Sequence, residues 1–159
     1  MINNKTENIN IFRIFDDKNV SSKLKNGLPK LFHIAELESC RAGKIGMEVG
    51  SVREKIIIAF LIYVFGEQNV NTQVRITEPE IDVFLGNKPF SIKTITGNGY
   101  VKAVWTVDVQ SATNFINNYK PKCDILLVKI NWKSKDGGFF IIPLEAQLEI
   151  FNKLGEPYI

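Results

Sequence analysis

The sequence predicts an α/β domain: a mixed central sheet flanked by helices, with elements in the order helix, three strands, helix, strand. Three observations carry this expectation. An uninterrupted apolar run from Ile56 to Phe65 stops at Gly66, as a buried helix does. Short stretches of alternating apolar and polar residues, punctuated by glycine turns, follow between Gln73 and Val107. The period then lengthens over Thr106 to Tyr119 before a continuous apolar run, Ile125 to Val128, reads as a buried strand.

The elements follow in chain order. Met1 to Asn10 is polar and Asn-rich and is expected to be mobile. Pro29 to Arg41 reads as an amphipathic helix, with Pro at its first turn, Leu31, Phe32, Ala35 and Leu37 on its apolar side and Gly43 closing it. Arg41 to Gly50 is a glycine-punctuated basic loop. Ser51 to Glu54 is a capping-box pattern opening the helix that runs to Phe65, and its apolar run predicts enclosure on nearly all sides. Strands are expected at Gln73–Thr77, Glu80–Leu85, Phe90–Ile95 and Tyr100–Val107, then a helix ending before Pro121. Cys123–Trp132 and Phe139–Ile142 are the remaining strands, joined through Asp136, Gly137 and Gly138, and Leu144–Leu154 is a final helix ahead of Gly155.

A chain of 159 residues suits one domain, 1–159, able to bury about two thirds of its unfolded surface without disulfides or metal. The turn signal Gly155 to Tyr158 just before Ile159 leads us to expect a further element beyond it. The apolar run is too short for a bilayer and no secretion signal precedes it, so a cytoplasmic protein is expected. Cys40 and Cys123 have no CxxC partner and read as two free buried thiols. A net charge of +3 tilts toward an anionic partner without deciding it. His33 is the sole histidine, which excludes His-rich metal sites and any histidine dyad; among Leu31, Phe32 and Ile34 it reads as a partly buried structural residue. Any hydrolysis by this chain would have to rely on carboxylates, lysine and a hard metal ion.

Glu80 to Lys93 reads as a β-hairpin around a Gly86-Asn87-Lys88-Pro89 turn. If Leu85 pairs with Phe90, Asp82 pairs with Lys93, and opposed residues have Cβ atoms roughly 4.5–5.5 Å apart. Glu54, in the first turn of the buried helix, is expected at the same corner of the sheet. Two carboxylates and a backbone carbonyl suit Mg²⁺, with Lys93 orienting or deprotonating the attacking water. Each residue also has a plain structural explanation: Glu54 as part of a capping box, Asp82 and Lys93 as an edge ion pair worth little.

The element order and the Asp82, Ser91, Lys93 pattern resemble the PD-(D/E)xK nuclease superfamily, and so a restriction-endonuclease-like core. Glu80 and Ile81 separate Pro79 from Asp82, and Ser91 stands where the second acid belongs. Glu54 is the natural substitute and Asp108 the runner-up, although Asp108 has an equal reading as a helix N-cap. The resemblance implies the main-chain carbonyl of Ile92 as a further metal ligand. More narrowly, the run from Gly50 to Asn98, with GSVREKIIIAFLIYVFG and FSIKTITGNG, is similar to the ThaI type of type II restriction endonuclease, and the similarity extends through CDILLVKINW. It implies a homodimer that uses Mg²⁺ to cut both strands of double-stranded DNA at CGCG.

For DNA contacts, the basic loop offers Arg41 and Lys44 to phosphates and Met47 as an apolar wedge between base steps; Met47 folding back onto the helix is the alternative. Arg53, Thr94, Asn98 and Lys102 flank the expected site and are further candidates. Two rival functions keep the same residues: a structure-specific or repair nuclease, and a DNA-binding module without catalysis.

Overall fold

The computed structural model describes residues 9–43, 47–75, 78, 80–97, 119–132 and 137–154. The predicted strand Tyr100–Val107 and the helix predicted to follow it lie outside these, apart from Tyr119. Helix α1 spans Lys18–Arg41, starting well before Pro29. Asp17 caps it by accepting from the N–H groups of Asn19 (2.7 Å) and Val20 (3.3 Å). Leu24, Leu28, Phe32 and Ala35 keep a helical period straight through Pro29, which lacks an N–H but sits within the helix. Gly43 ends it at φ +69°, as expected. Leu31 and Leu37, predicted on the apolar face, are exposed, as are His33 and Cys40; Phe32 and Ala35 are buried as expected, on a face continued by Leu24, Leu28 and Ser39.

Helix α2 spans Met47–Phe65, so Met47 opens the helix and Ser51 lies within it, where the capping-box reading had placed the start. Gly66, at φ +84°, stops it, donating to the Ile62 carbonyl at 2.9 Å. Enclosure is partial: Ile57 and Leu61 are buried, while Ser51, Val52, Lys55, Ala59 and Tyr63 form an exposed stripe. Arg53 reaches back from α2 to Glu36 of α1 and lies over the Phe32 ring, 5.8 Å from its centroid.

The sheet runs β1 (Val70–Asn71), β2 (Val83–Leu85), β3 (Lys88–Thr96), β4 (Asp124–Ile130) and β5 (Gly138–Ile142), in that spatial order. All neighbours are antiparallel except β3 and β4, which are parallel. The first strand lies at Val70–Asn71, before the predicted Gln73–Thr77, because the Asn71 side chain accepts from the Gln73 N–H and turns the chain. Phe90 and Ile92 of β3 with Leu126, Val128 and Ile130 of β4 form the core against Leu24, Leu28, Phe32, Ile57 and Leu61. By strand alternation Ser91 and Lys93 leave the opposite face. Helix α3, Leu144–Leu154, is held by Gln147, which donates to the carbonyls of Cys123 (2.9 Å) and Ile142 (3.0 Å). Among the described residues no helix is long and apolar enough to cross a membrane.

Candidate active site at the edge of the sheet

The hairpin turn is tighter than the sequence suggested. Leu85 pairs with Lys88, Phe84 with Pro89 and Val83 with Phe90, so Gly86 and Asn87 alone make the turn, Gly86 at φ +61°. The register shifts by two, which preserves the face but replaces the predicted Asp82–Lys93 pairing: Asp82 lies beside Ser91, with Lys93 farther from the turn. Asp82 also stands outside β2. Its N–H donates to the Phe90 carbonyl at 3.0 Å, so Asp82 and Val83 both address one residue, an arrangement of the bulge type.

At that bulge the Asp82 carboxylate takes the place of a strand. One oxygen, Oδ2, accepts from the Ile92 N–H at 2.6 Å and from the Ser91 hydroxyl at 3.2 Å. Ser91, standing where an acid was expected, therefore serves as a donor that holds Asp82. Ile92 N–H and C=O point to the same side of β3, and β2 does not extend far enough to pair with that carbonyl. Asp82 Oδ1, the Glu54 carboxylate and the Lys93 ammonium make no hydrogen bond or ion pair among the described residues.

The electrostatics tie these groups together. Burial pushes Glu54 up to about 7, the Asp82 charge pushes it the same way, and Lys93 opposes both. Asp82 is also raised, chiefly by burial, against the Ile92 N–H, the Lys93 charge and the Ser91 hydroxyl. Glu54 belongs to α2, which packs on the Ile92 face of β3, and Lys93 alternates with Ile92 along that strand; the Lys93 charge nevertheless acts on both carboxylates. The three residues expected to share a corner thus fall within one another's electrostatic reach.

The other candidates divide. Arg41 ends α1, exposed and paired with Glu38 at 2.6 Å. Arg53 is mostly buried and bound to Glu36, which keeps its guanidinium between the helices. Thr94 lies half-buried on β3 beside Val128. Lys44, Asn98, Lys102 and Asp108 lie outside the described residues, as does the side chain of Met47.

Sequence reasoning passed over Glu80. Its carboxylate is buried, accepting from the Tyr119 hydroxyl at 2.9 Å and the Lys122 N–H at 3.1 Å. Burial raises it, against those two bonds and the charges of Lys93 and Lys122. Next to it, burial and the Glu80 charge push the Cys123 thiol up to about 12, leaving it protonated and inert as a nucleophile. No local pattern announces Glu80, because its donors lie some forty residues along the chain.

Residues 14–159 match the family described as Restriction endonuclease ThaI. A solved structure described as a restriction endonuclease in complex with substrate DNA superposes with a TM-score of 0.77 at 51% identity, covering 91% of this chain and 70% of that one. The search of curated proteins gave no match. With a mixed sheet of that fold, five-stranded among the described residues, and a family match over nearly its whole length, the chain belongs to the ThaI restriction endonuclease family.

Proposed function

We propose that this chain is a Mg²⁺-dependent type II restriction endonuclease, cytoplasmic and homodimeric, that hydrolyses phosphodiester bonds of double-stranded DNA at a short palindromic site, CGCG. A self-complementary target is matched by a two-fold symmetric protein, which is the reason for the dimer. One observation carries the reading: Glu54 and Asp82 are both desolvated carboxylates, the Asp82 charge acts on Glu54, and the Lys93 charge acts on both. That arrangement is costly in the free protein and useful only where a cation and a phosphate come to it.

The donor set fits a hard divalent ion. Asp82 Oδ1, a Glu54 oxygen and the Ile92 carbonyl are oxygen ligands, few enough to leave positions for water and a phosphate oxygen, as Mg²⁺ prefers. A bound ion would lower the pKa of a coordinated water and stabilise charge on the phosphate. The chain's own residues do the rest. The Ile92 N–H and Ser91 hydroxyl hold Asp82 in one orientation, and the Lys93 ammonium orients the attacking water and adds positive charge beside the scissile phosphate. Arg41, Lys44, Thr94, Asn98 and Lys102 are assigned to DNA contacts, with Met47 as the wedge. Arg53 is assigned to holding α2 on α1.

Plasmid DNA tests this. Wild-type protein with Mg²⁺ should give discrete fragments ending at CGCG, none after chelation, and none with Lys93→Ala. Cleavage of junctions or nicks without sequence preference would replace the reading with a structure-specific nuclease. Absence of any metal-dependent cleavage by wild type would leave a DNA-binding module.

A further inference from the structure

We propose that Glu80 is a positioning residue that anchors the strand-less segment carrying Asp82 to residues 119–122, fixing where the Asp82 carboxylate stands. The inference rests on the nuclease reading of Asp82 given above. Asp82 belongs to no ladder: β2 starts one residue later, and the chain just before it is a turn in which the Ile81 N–H donates to the Glu78 carbonyl at 3.1 Å. A short turn at a sheet edge has little to resist displacement, and a carboxylate that grips a cation is pulled by it. Geometry at such a centre tolerates errors of about half an ångström.

Glu80 supplies the resistance. It is 5% exposed, and its two oxygens take different donors: Oε1 the Tyr119 hydroxyl, Oε2 the Lys122 N–H. The chain it grips leads directly into β4, whose parallel pairing with β3 starts at Asp124 and Phe90. The Phe90 carbonyl is in turn the acceptor for Asp82 N–H. Glu80, residues 119–124, Phe90 and Asp82 therefore close a ring of contacts around the bulge, and removing Glu80 opens it. The Tyr119 ring, set edge-on to Phe151 of α3 at 6.0 Å, extends the anchor into the helix.

Substitutions separate anchoring from charge. Glu80→Gln keeps both contacts, because the amide oxygen accepts from the Lys122 N–H while the amide donates to the tyrosine hydroxyl, which can accept. Glu80→Ala keeps neither. The expected result, measured on cognate DNA below the melting temperature of every variant, is a 10- to 100-fold loss of kcat for Glu80→Ala with KM for DNA within about threefold. Glu80→Gln should recover to within about fivefold of wild type. Calorimetric titration with Mg²⁺ in the absence of catalysis should show several-fold weaker binding for Glu80→Ala and near-wild-type binding for Glu80→Gln. A folded Glu80→Ala with unchanged kcat and Mg²⁺ affinity overturns the anchor, and so does equal loss in both variants, since that would point to charge. Asp82→Ala is the control: if it still cleaves, the nuclease reading fails together with the anchor. If Asp82→Ala is dead while Glu80→Ala is normal, only the anchor fails.

Discussion

Glu54→Gln should make the metal-free protein more stable at pH 8 and leave it unchanged near pH 4. Burial and Asp82 raise the Glu54 carboxyl from 4.5 to about 7. A carboxyl raised in the fold binds its proton more tightly folded than unfolded. The stability this contributes is complete below about 4.5, declines as pH climbs, and is gone above about 7. At about 1.36 kcal/mol per pKa unit the full effect is roughly 3 kcal/mol. Glu54 keeps partial contact with water, so screening reduces that to about 1–2 kcal/mol. Glutamine is neutral throughout and escapes the loss, which for a chain of this size corresponds to a Tm gain of roughly 2–6 °C at pH 8. Differential scanning calorimetry in chelator, at pH 4 and pH 8, measures it. Adding Mg²⁺ at pH 8 should raise the wild-type Tm and leave that of Glu54→Gln nearly unmoved, because the cation relieves the repulsion that glutamine lacks. A Glu54→Gln protein no more stable than wild type at pH 8 would refute the claim that this carboxylate is strained by its surroundings.

Other perturbations have equally definite outcomes. Met47→Ala should reduce cleavage far more than it lowers Tm; unchanged DNA affinity and rate would dispose of the wedge. Gly66→Ala forces a side chain into φ +84° and ψ 148°, a region kept almost entirely by glycine, so thermal melting should show a loss of about 1–3 kcal/mol. Glu36→Ala strands the mostly buried Arg53 guanidinium, whose Nε already has no partner among the described residues. Denaturant titration should give a cost of about 1–3 kcal/mol for it and a smaller cost for Glu36→Ala combined with Arg53→Met, since the unpaired charge is then removed.

Strands β3 and β4 and helix α3 were legible because each carries its own periodicity: Phe90 and Ile92 against Ser91 and Lys93, and the apolar run Ile125 to Val128. Prolines misled twice, and for one reason. Locally, Pro29 marks a helix start and Pro89 a turn, yet α1 runs through the first and β3 contains the second, opposite Phe84. Tertiary packing outweighed the local preference in both. Residue type and order suggested that Glu54, Asp82 and Lys93 lie near one another, and their charges do act on one another, although not through the Asp82–Lys93 pairing that was expected. The way Asp82 is held was not, because Ser91 and Ile92 bind it only in a register that Gly86 sets. Which side of α2 lacks cover was also hidden, since a uniformly apolar run carries no mark of its exposed stripe.

The parallel pairing of β3 with β4, the one such pairing among the described residues, divides the folding of the molecule into an early and a late stage. The hairpin of β2 and β3 closes through two residues, an event of the order of microseconds, and the Asp82 contact to Ile92 forms with it. Pairing with β4 must wait for a long intervening chain to close, and the Glu80 contacts wait with it. Pulse-labelled hydrogen exchange should therefore protect the Ile92 amide before that of Lys122. A nascent chain would pass through an interval in which the Asp82 carboxylate is already bound to the Ile92 N–H while the segment that carries it is not yet moored from behind by Glu80.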